Sequence, residues 1–206
     1  MIDYEALEKF YGEIKEVCLE YFKEGGTDLF ELADRCMDIE GLPMHCPPHH
    51  FMIPAVLLTV CHRLSDSPLR SLEEDLGEAC SRAHNVLGGF CGLYGSCGAA
   101  VGVGIFMSIF TQTGPCSGET WAWTNRACAE ALLDIAEIDG PRCCKRNSYL
   151  ALLSACDTIR KYLELDVEKK ENIQCRYFSM NRECKGKECP FFPVVSDEKK
   201  AGEVLR

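Results

Sequence analysis

Between Asn85 and Gly118 the chain carries no charged side chain. A stretch of that length has to be enclosed, either by the rest of the chain or by a bilayer. About 20 apolar residues suffice to cross a membrane, but seven glycines between Gly88 and Gly104 break the first half of any span. The expectation is a Gly/Ala-rich helix buried on all sides within a helical protein. Gly98 and Gly102, with Ala99 and Ala100 between them, would let a second helix or a cofactor approach its backbone.

The surrounding sequence supplies partners for such a helix. Leu7, Phe10, Tyr11, Ile14, Cys18 and Tyr21 recur at the three-and-four spacing of one helical face, which predicts a helix over residues 3 to 24, stopped by Gly25 and Gly26. A second, capped by Thr27, turns Phe30, Ala33 and Cys36 inward and stops near Gly41. "MIPAVLLTVCHRL" has helical period, residues 68 to 87 read as an amphipathic helix, Ser117 opens another that closes at Gly140, and a last helix runs from "GPRCCKR" to Leu163. Strand-like alternation is scarce. The fold class expected is all-α, a compact helical bundle with residues 1 to 166 as its domain. Residues 167 to 194 then form a Cys-rich irregular C-terminal segment packed on it, and 195 to 206 a flexible terminus.

Composition narrows the function. Thirty-two acidic against 22 basic residues give a net charge of −10, and no long basic stretch is present to meet nucleic-acid phosphates. Fifteen cysteines are far more than an ordinary chain carries, and an odd number cannot all pair. The opening "MIDYEALEKF" has no apolar signal core. A reducing, cytoplasmic location in an anaerobe is expected. There many thiols serve as small core residues, and a subset binds metal or does redox chemistry.

Four constellations stand out. In "HCPPHHF", Cys46 is flanked by His45, His49 and His50 and stiffened by Pro47 and Pro48, which suits a metal ligand, a nucleophile with its bases, or a plain helix entry. In "GGFCGLYGSCGAAVGVG", Cys91 and Cys97 lead into the uncharged helix, whose N-terminus would stabilise a thiolate. The run lacks the Gly-Lys-Ser/Thr ending of a phosphate loop. "GPRCCKR" sets Cys143 and Cys144 among Arg142, Lys145 and Arg146, cations that lower thiol pKa values or offset an anionic cluster. Last, Cys175, Cys184 and Cys189 occupy a segment too polar for a core of its own, with Pro190 following as in ferredoxin-type ligation. A metal clip is the usual reason for such a segment, with the fourth ligand coming from elsewhere. No Cys-x-x-Cys pair occurs, which argues against zinc ribbons and thioredoxin chemistry.

Residues 46 to 103, with "AVLL" and "GGFCGLYGSCGAAVG", resemble the anaerobe redox-protein family named for its Cys, Gly-Cys-Ala-x-x-Gly, Cys, Cys pattern. The departure is that Ser96-Cys97-Gly98-Ala99 is not Gly-Cys-Ala. Over residues 40 to 190 the chain resembles more an uncharacterised family of archaeal and bacterial anaerobes, a domain of unknown function marked by "HCPPHHF", "GGFCG…CGAA" and "GPRCCKR". That resemblance implies Cys46, Cys97, Cys143 and Cys144 as the defining cysteines and Gly98 and Gly102 as the small-residue positions. It implies redox or iron–sulfur chemistry and no particular substrate.

The expectation is therefore an iron–sulfur protein, with a 4Fe–4S cluster, acting in redox or sulfur transfer. Cys175, Cys184 and Cys189, with one further cysteine such as Cys46, would hold metal. Cys46 and Cys97, with His49 and His50, would be catalytic, and Cys91, Gly98, Gly102, Arg142, Cys143 and Cys144 would bind the cofactor. The alternatives are a zinc-stabilised binding or regulatory module and a zinc-dependent hydrolase or transferase. A redox or sulfur-transfer partner protein and an oligomer both stay open.

Overall fold

The computed structural model describes residues 3–66 and 68–193, so the expected flexible terminus 195–206 lies outside the described residues. Among these residues there are eight α-helices and no strand: α1 (Tyr4–Glu24), α2 (Leu29–Met37), α3 (Pro48–Leu64), α4 (Leu72–Ala83), α5 (Phe90–Leu93), α6 (Gly98–Phe110), α7 (Glu119–Ala136) and α8 (Cys144–Leu163). None of them is long and apolar enough to cross a membrane.

Local chemistry sets the boundaries. Gly25 adopts φ +83° and returns its N–H to the Phe22 carbonyl, closing α1 in the left-handed cap that glycine favours. Asp28, not Thr27, caps α2, because its carboxylate accepts the Phe30 and Glu31 N–H groups at 2.8 and 3.1 Å. α4 is shorter than its hydrophobic pattern implies, because Ser71 and Glu74 form a capping box that fixes its start at Leu72. Ser117 does not begin α7; its hydroxyl accepts the Gly114 N–H instead.

α6 is enclosed as its lack of charge requires, with no exposed residue. The hub, however, is α3, which packs against α1, α2, α4, α6 and α8. Fourteen of its 17 side chains are buried, so its apolar surface runs right round the helix. Pro54, inside α3, has no N–H for the His50 carbonyl one turn earlier. α6 meets α3 at that point. A Cβ on Gly102 would lie 3.0 Å from the His50 carbonyl oxygen and 2.9 Å from the Ile53 Cβ, and one on Gly98 would overlap the His50 ring at 2.2 Å. The two glycines are therefore what brings the start of α6 against the "HCPPHHF" end of α3.

Beyond α8 the chain returns over the α2 and α8 surface as loops and two short 3₁₀ turns, Phe178–Met180 and Gly186–Glu188. Phe191 packs edge-on against Tyr149, and the Cys175 N–H donates to the Phe191 carbonyl at 2.7 Å. Arg176 and the Tyr177 hydroxyl both bind the Asp38 carboxylate, at 2.6 and 2.8 Å. Lys170 pairs with Asp28, tying the returning chain to the start of α2.

That pair makes a prediction. Burial alone would raise the Asp28 carboxyl, but Lys170 and the two N–H donors outweigh it and hold its pKa below the usual 3.8. The stability this ionised cap supplies is present above the unfolded pKa and is lost as pH falls through the folded one. Asp28→Ala is expected to cost about 1 kcal/mol near pH 7. The deficit should shrink below about pH 4, as urea melts at pH 7 and pH 3 would read.

Candidate functional site

The adjacent cysteines of "GPRCCKR" stand at the start of α8 and face different ways. Cys143 is the N-cap, its sulfur accepting the Arg146 N–H at 3.5 Å. It lines one cavity with Cys175, Cys184 and Cys189, along with Arg146, Asn181 and Lys185. The fourth cysteine of the tail set is thus Cys143 rather than Cys46. Cys144 turns to the other side, where it lines a pocket with Cys91, Cys97, His49 and His50.

Two sulfurs of the tail set accept a backbone N–H. Besides the bond to Cys143, Gly186 donates to Cys184 at 3.4 Å, with φ +58° at the glycine. The Tyr177 and Phe191 N–H groups favour the ionised forms of Cys175 and Cys189. Asn181 Nδ2 adds a further donor to Cys143 at 3.5 Å. A hydrogen bond from N–H to sulfur stabilises thiolate over thiol. Burial still dominates in the bare chain and pushes Cys175 up to about 11.

The second set is assembled from three segments. Cys97 stands at the N-cap of α6, where the Ala99 and Ala100 N–H groups favour its ionised form and the Asn147 amide donates to its sulfur at 3.3 Å. The Cys46 N–H favours the ionised form of Cys144. Cys46 Sγ lies 3.2 Å from His49 Nδ1. Burial pushes Cys46 and Cys144 each up to about 12 and raises Cys97 despite its helix N-terminus. The low thiol pKa expected from the cations around "GPRCCKR" does not appear at Cys144, because removal from water outweighs them. An open groove of about 520 Å³, lined by Cys46, Cys91, Cys144, His45, His50 and Arg142 among others, leads to this set.

The histidines divide the work. His45 is spent on positioning: its Nδ1 accepts the Cys144 N–H at 3.3 Å and its Nε2 donates to Asn181 Oδ1 at 3.2 Å. It thereby couples the start of α8 to the tail loop. His50 donates from Nδ1 to the Val86 carbonyl at 2.8 Å. His49 is buried, and burial, followed by the nearby Lys145, holds its pKa well below the usual imidazole value. A ring kept neutral in this way can accept a proton or bind a metal through its free nitrogen.

Two cations stand out because nothing negative meets them. Lys145 is 2% exposed. Its ammonium donates to the Met37 carbonyl at 3.2 Å and lies 4.8 Å from the Tyr177 ring centre. Arg146 is 4% exposed and donates to the Asn147 side-chain and Pro141 carbonyl oxygens. Among the described residues neither forms an ion pair with a carboxylate. The ionisable groups acting most strongly on Lys145 are Cys46 and Cys144, while Arg146 favours ionised Cys189. Arg142, by contrast, is half-exposed and bonded to Glu183 at 2.8 Å.

Of the remaining cysteines, four are buried in packing and Cys116 is exposed. All fifteen are free; Cys18, Cys36, Cys61 and Cys156 lie in the hydrophobic core. Gly102 serves the α3–α6 contact, whereas Gly98 lines the second pocket. Sequence reasoning missed Asn147 and Asn181, the amides that hydrogen-bond one sulfur of each set. The only available signal was their proximity to cysteine motifs, since Asn147 lies one helical turn after Cys144.

Residues 14–192 match the model of a family of unknown function, DUF5714. The chain belongs to that family. No curated protein and no solved structure matches it. The matched span of this DUF5714 member contains all eight cysteines of the two sets.

Proposed function

We propose that this protein is an iron–sulfur protein acting in redox or sulfur transfer, with its first cluster held by Cys143, Cys175, Cys184 and Cys189. The observation that carries this reading is that those four cysteines line one cavity, with backbone N–H groups bonded to Cys143 and Cys184 and others favouring the ionised forms of Cys175 and Cys189. Arg146, buried and without a carboxylate, supplies the positive charge that an anionic metal–thiolate centre needs. When bound, the cluster would supply a one-electron couple.

The thiol pKa values favour ligation over free nucleophilic chemistry. Each resolved shift among the two sets is upward and caused first by burial, so these thiols stay protonated near neutral pH. A coordinated metal deprotonates them outright. Among the described residues no three His, Cys, Asp or Glu side chains are grouped so as to hold a single ion.

Metal analysis decides between the readings. Protein purified without oxygen is expected to be brown and to contain iron and acid-labile sulfide, with Cys189→Ser losing the cluster held by the tail. Zinc in place of iron, or an unchanged visible spectrum in Cys189→Ser, would overturn the assignment.

A further inference from the structure

The second set has a feature of its own. His49 Nε2 is buried and has no hydrogen-bond partner, in a residue that lines the pocket containing Cys91, Cys97 and Cys144. Its other nitrogen, Nδ1, lies 3.2 Å from the Cys46 carbonyl oxygen. With the proton on Nδ1 and donated there, Nε2 presents the lone pair that histidine uses to bind metals, and the carbonyl fixes the ring as an outer-shell partner does. An unpaired polar nitrogen in so enclosed a place is costly unless a ligand meets it.

We propose that Cys91, Cys97, Cys144 and His49 Nε2 hold a second iron–sulfur centre, of mixed cysteine and histidine ligation, beside the tail centre. This rests on the iron–sulfur reading of the protein. Cys97 accepts a hydrogen bond from the Asn147 amide at 3.3 Å much as Cys143 does from Asn181, and nearby N–H groups favour the ionised forms of Cys97 and Cys144. Lys145 acts on Cys46 and Cys144 as Arg146 does on Cys189. Each set therefore has one buried cation without a carboxylate, from consecutive residues of α8.

Cys143 and Cys144 give one sulfur to each centre. Their Cα atoms are about 3.8 Å apart, as in any trans peptide, so the two centres lie side by side. Contributing a ligand from one cysteine motif to each of two clusters is how two-cluster ferredoxins are built. Replacing a thiolate by a neutral imidazole removes negative charge and raises the potential of a centre, so the two should differ. Cys91 and Cys144 also line the open groove, which leaves the second centre accessible to a small ligand. Cys46 is a positioning residue here, holding His49 through the contact of its carbonyl oxygen with Nδ1.

The full chain, reconstituted anaerobically with iron and sulfide, should hold about twice the iron of Cys97→Ser or Cys91→Ser. Those variants should keep the tail centre's spectrum, which also shows that they fold. Cys189→Ser should keep the complementary half. His49→Cys should retain the iron while lowering the potential of one centre only in a redox titration. A wild-type protein with a single cluster that disappears in Cys189→Ser and is untouched by Cys91→Ser and Cys97→Ser would overturn the second centre and leave the iron–sulfur reading intact. Absence of iron from the wild type would overturn both.

Discussion

Lys145→Met is expected to have opposite effects on the metal-free and metal-loaded protein. In the metal-free chain Cys46 and Cys144 are protonated, and the buried ammonium has the Met37 carbonyl, the Tyr177 ring and the more distant Asp38 carboxylate for company. An unpaired buried cation is unfavourable, and burial accordingly lowers the Lys145 pKa. Methionine of similar length should leave the melting temperature unchanged or raise it. In the loaded protein the cation faces ionised sulfur, and removing one partner of a buried charge pair costs about 3 kcal/mol. That corresponds to roughly a hundredfold weaker retention of the cluster. Melting both forms and following iron loss to a chelator would read the two signs, and a loaded protein indifferent to the substitution would contradict the charge argument.

Gly102→Ala is expected to disturb the second set through packing. The added methyl would meet the His50 carbonyl oxygen and the Ile53 Cβ, at 3.0 and 2.9 Å, and neither belongs to a flexible side-chain end. α6 must then move off α3. Overpacking of this kind costs about 1–3 kcal/mol, which denaturant melts would show as a lower midpoint at constant slope. Because Cys97 caps α6 and His49 stands on α3, the same displacement should weaken the second centre while sparing the tail centre, which is built from α8 and the returning chain. A variant of wild-type stability would mean that the two helices are not held this closely.

Much of the bundle was legible because its cause is local. The periodic apolar face of residues 3 to 24, the glycine stop at Gly25 and the absence of charge between Asn85 and Gly118 each carry their explanation in neighbouring residues. The boundaries that differed turn on single hydrogen bonds. Asp28 rather than Thr27 reaches the Phe30 and Glu31 N–H groups, and composition does not distinguish two adjacent capping residues. α3 as the hub was less legible than α6, because an apolar run of helical period says that a helix is buried, not how many neighbours enclose it.

The sites divide along the same line. Sequence alone determined that cysteines of the tail need a reason beyond packing, since Cys175, Cys184 and Cys189 sit in a polar segment, and that Cys143 and Cys144 lie among cations. It could not determine which sulfurs meet. Only the tertiary structure decided that Cys143 completes the tail set while Cys144 joins Cys91, Cys97 and the histidines. The physical reason is that Cys143 is the extended N-cap, at φ −142° and ψ 110°, and Cys144 the first helical residue; successive side chains on extended backbone point to opposite sides, so two neighbours in the chain serve opposite walls of the fold.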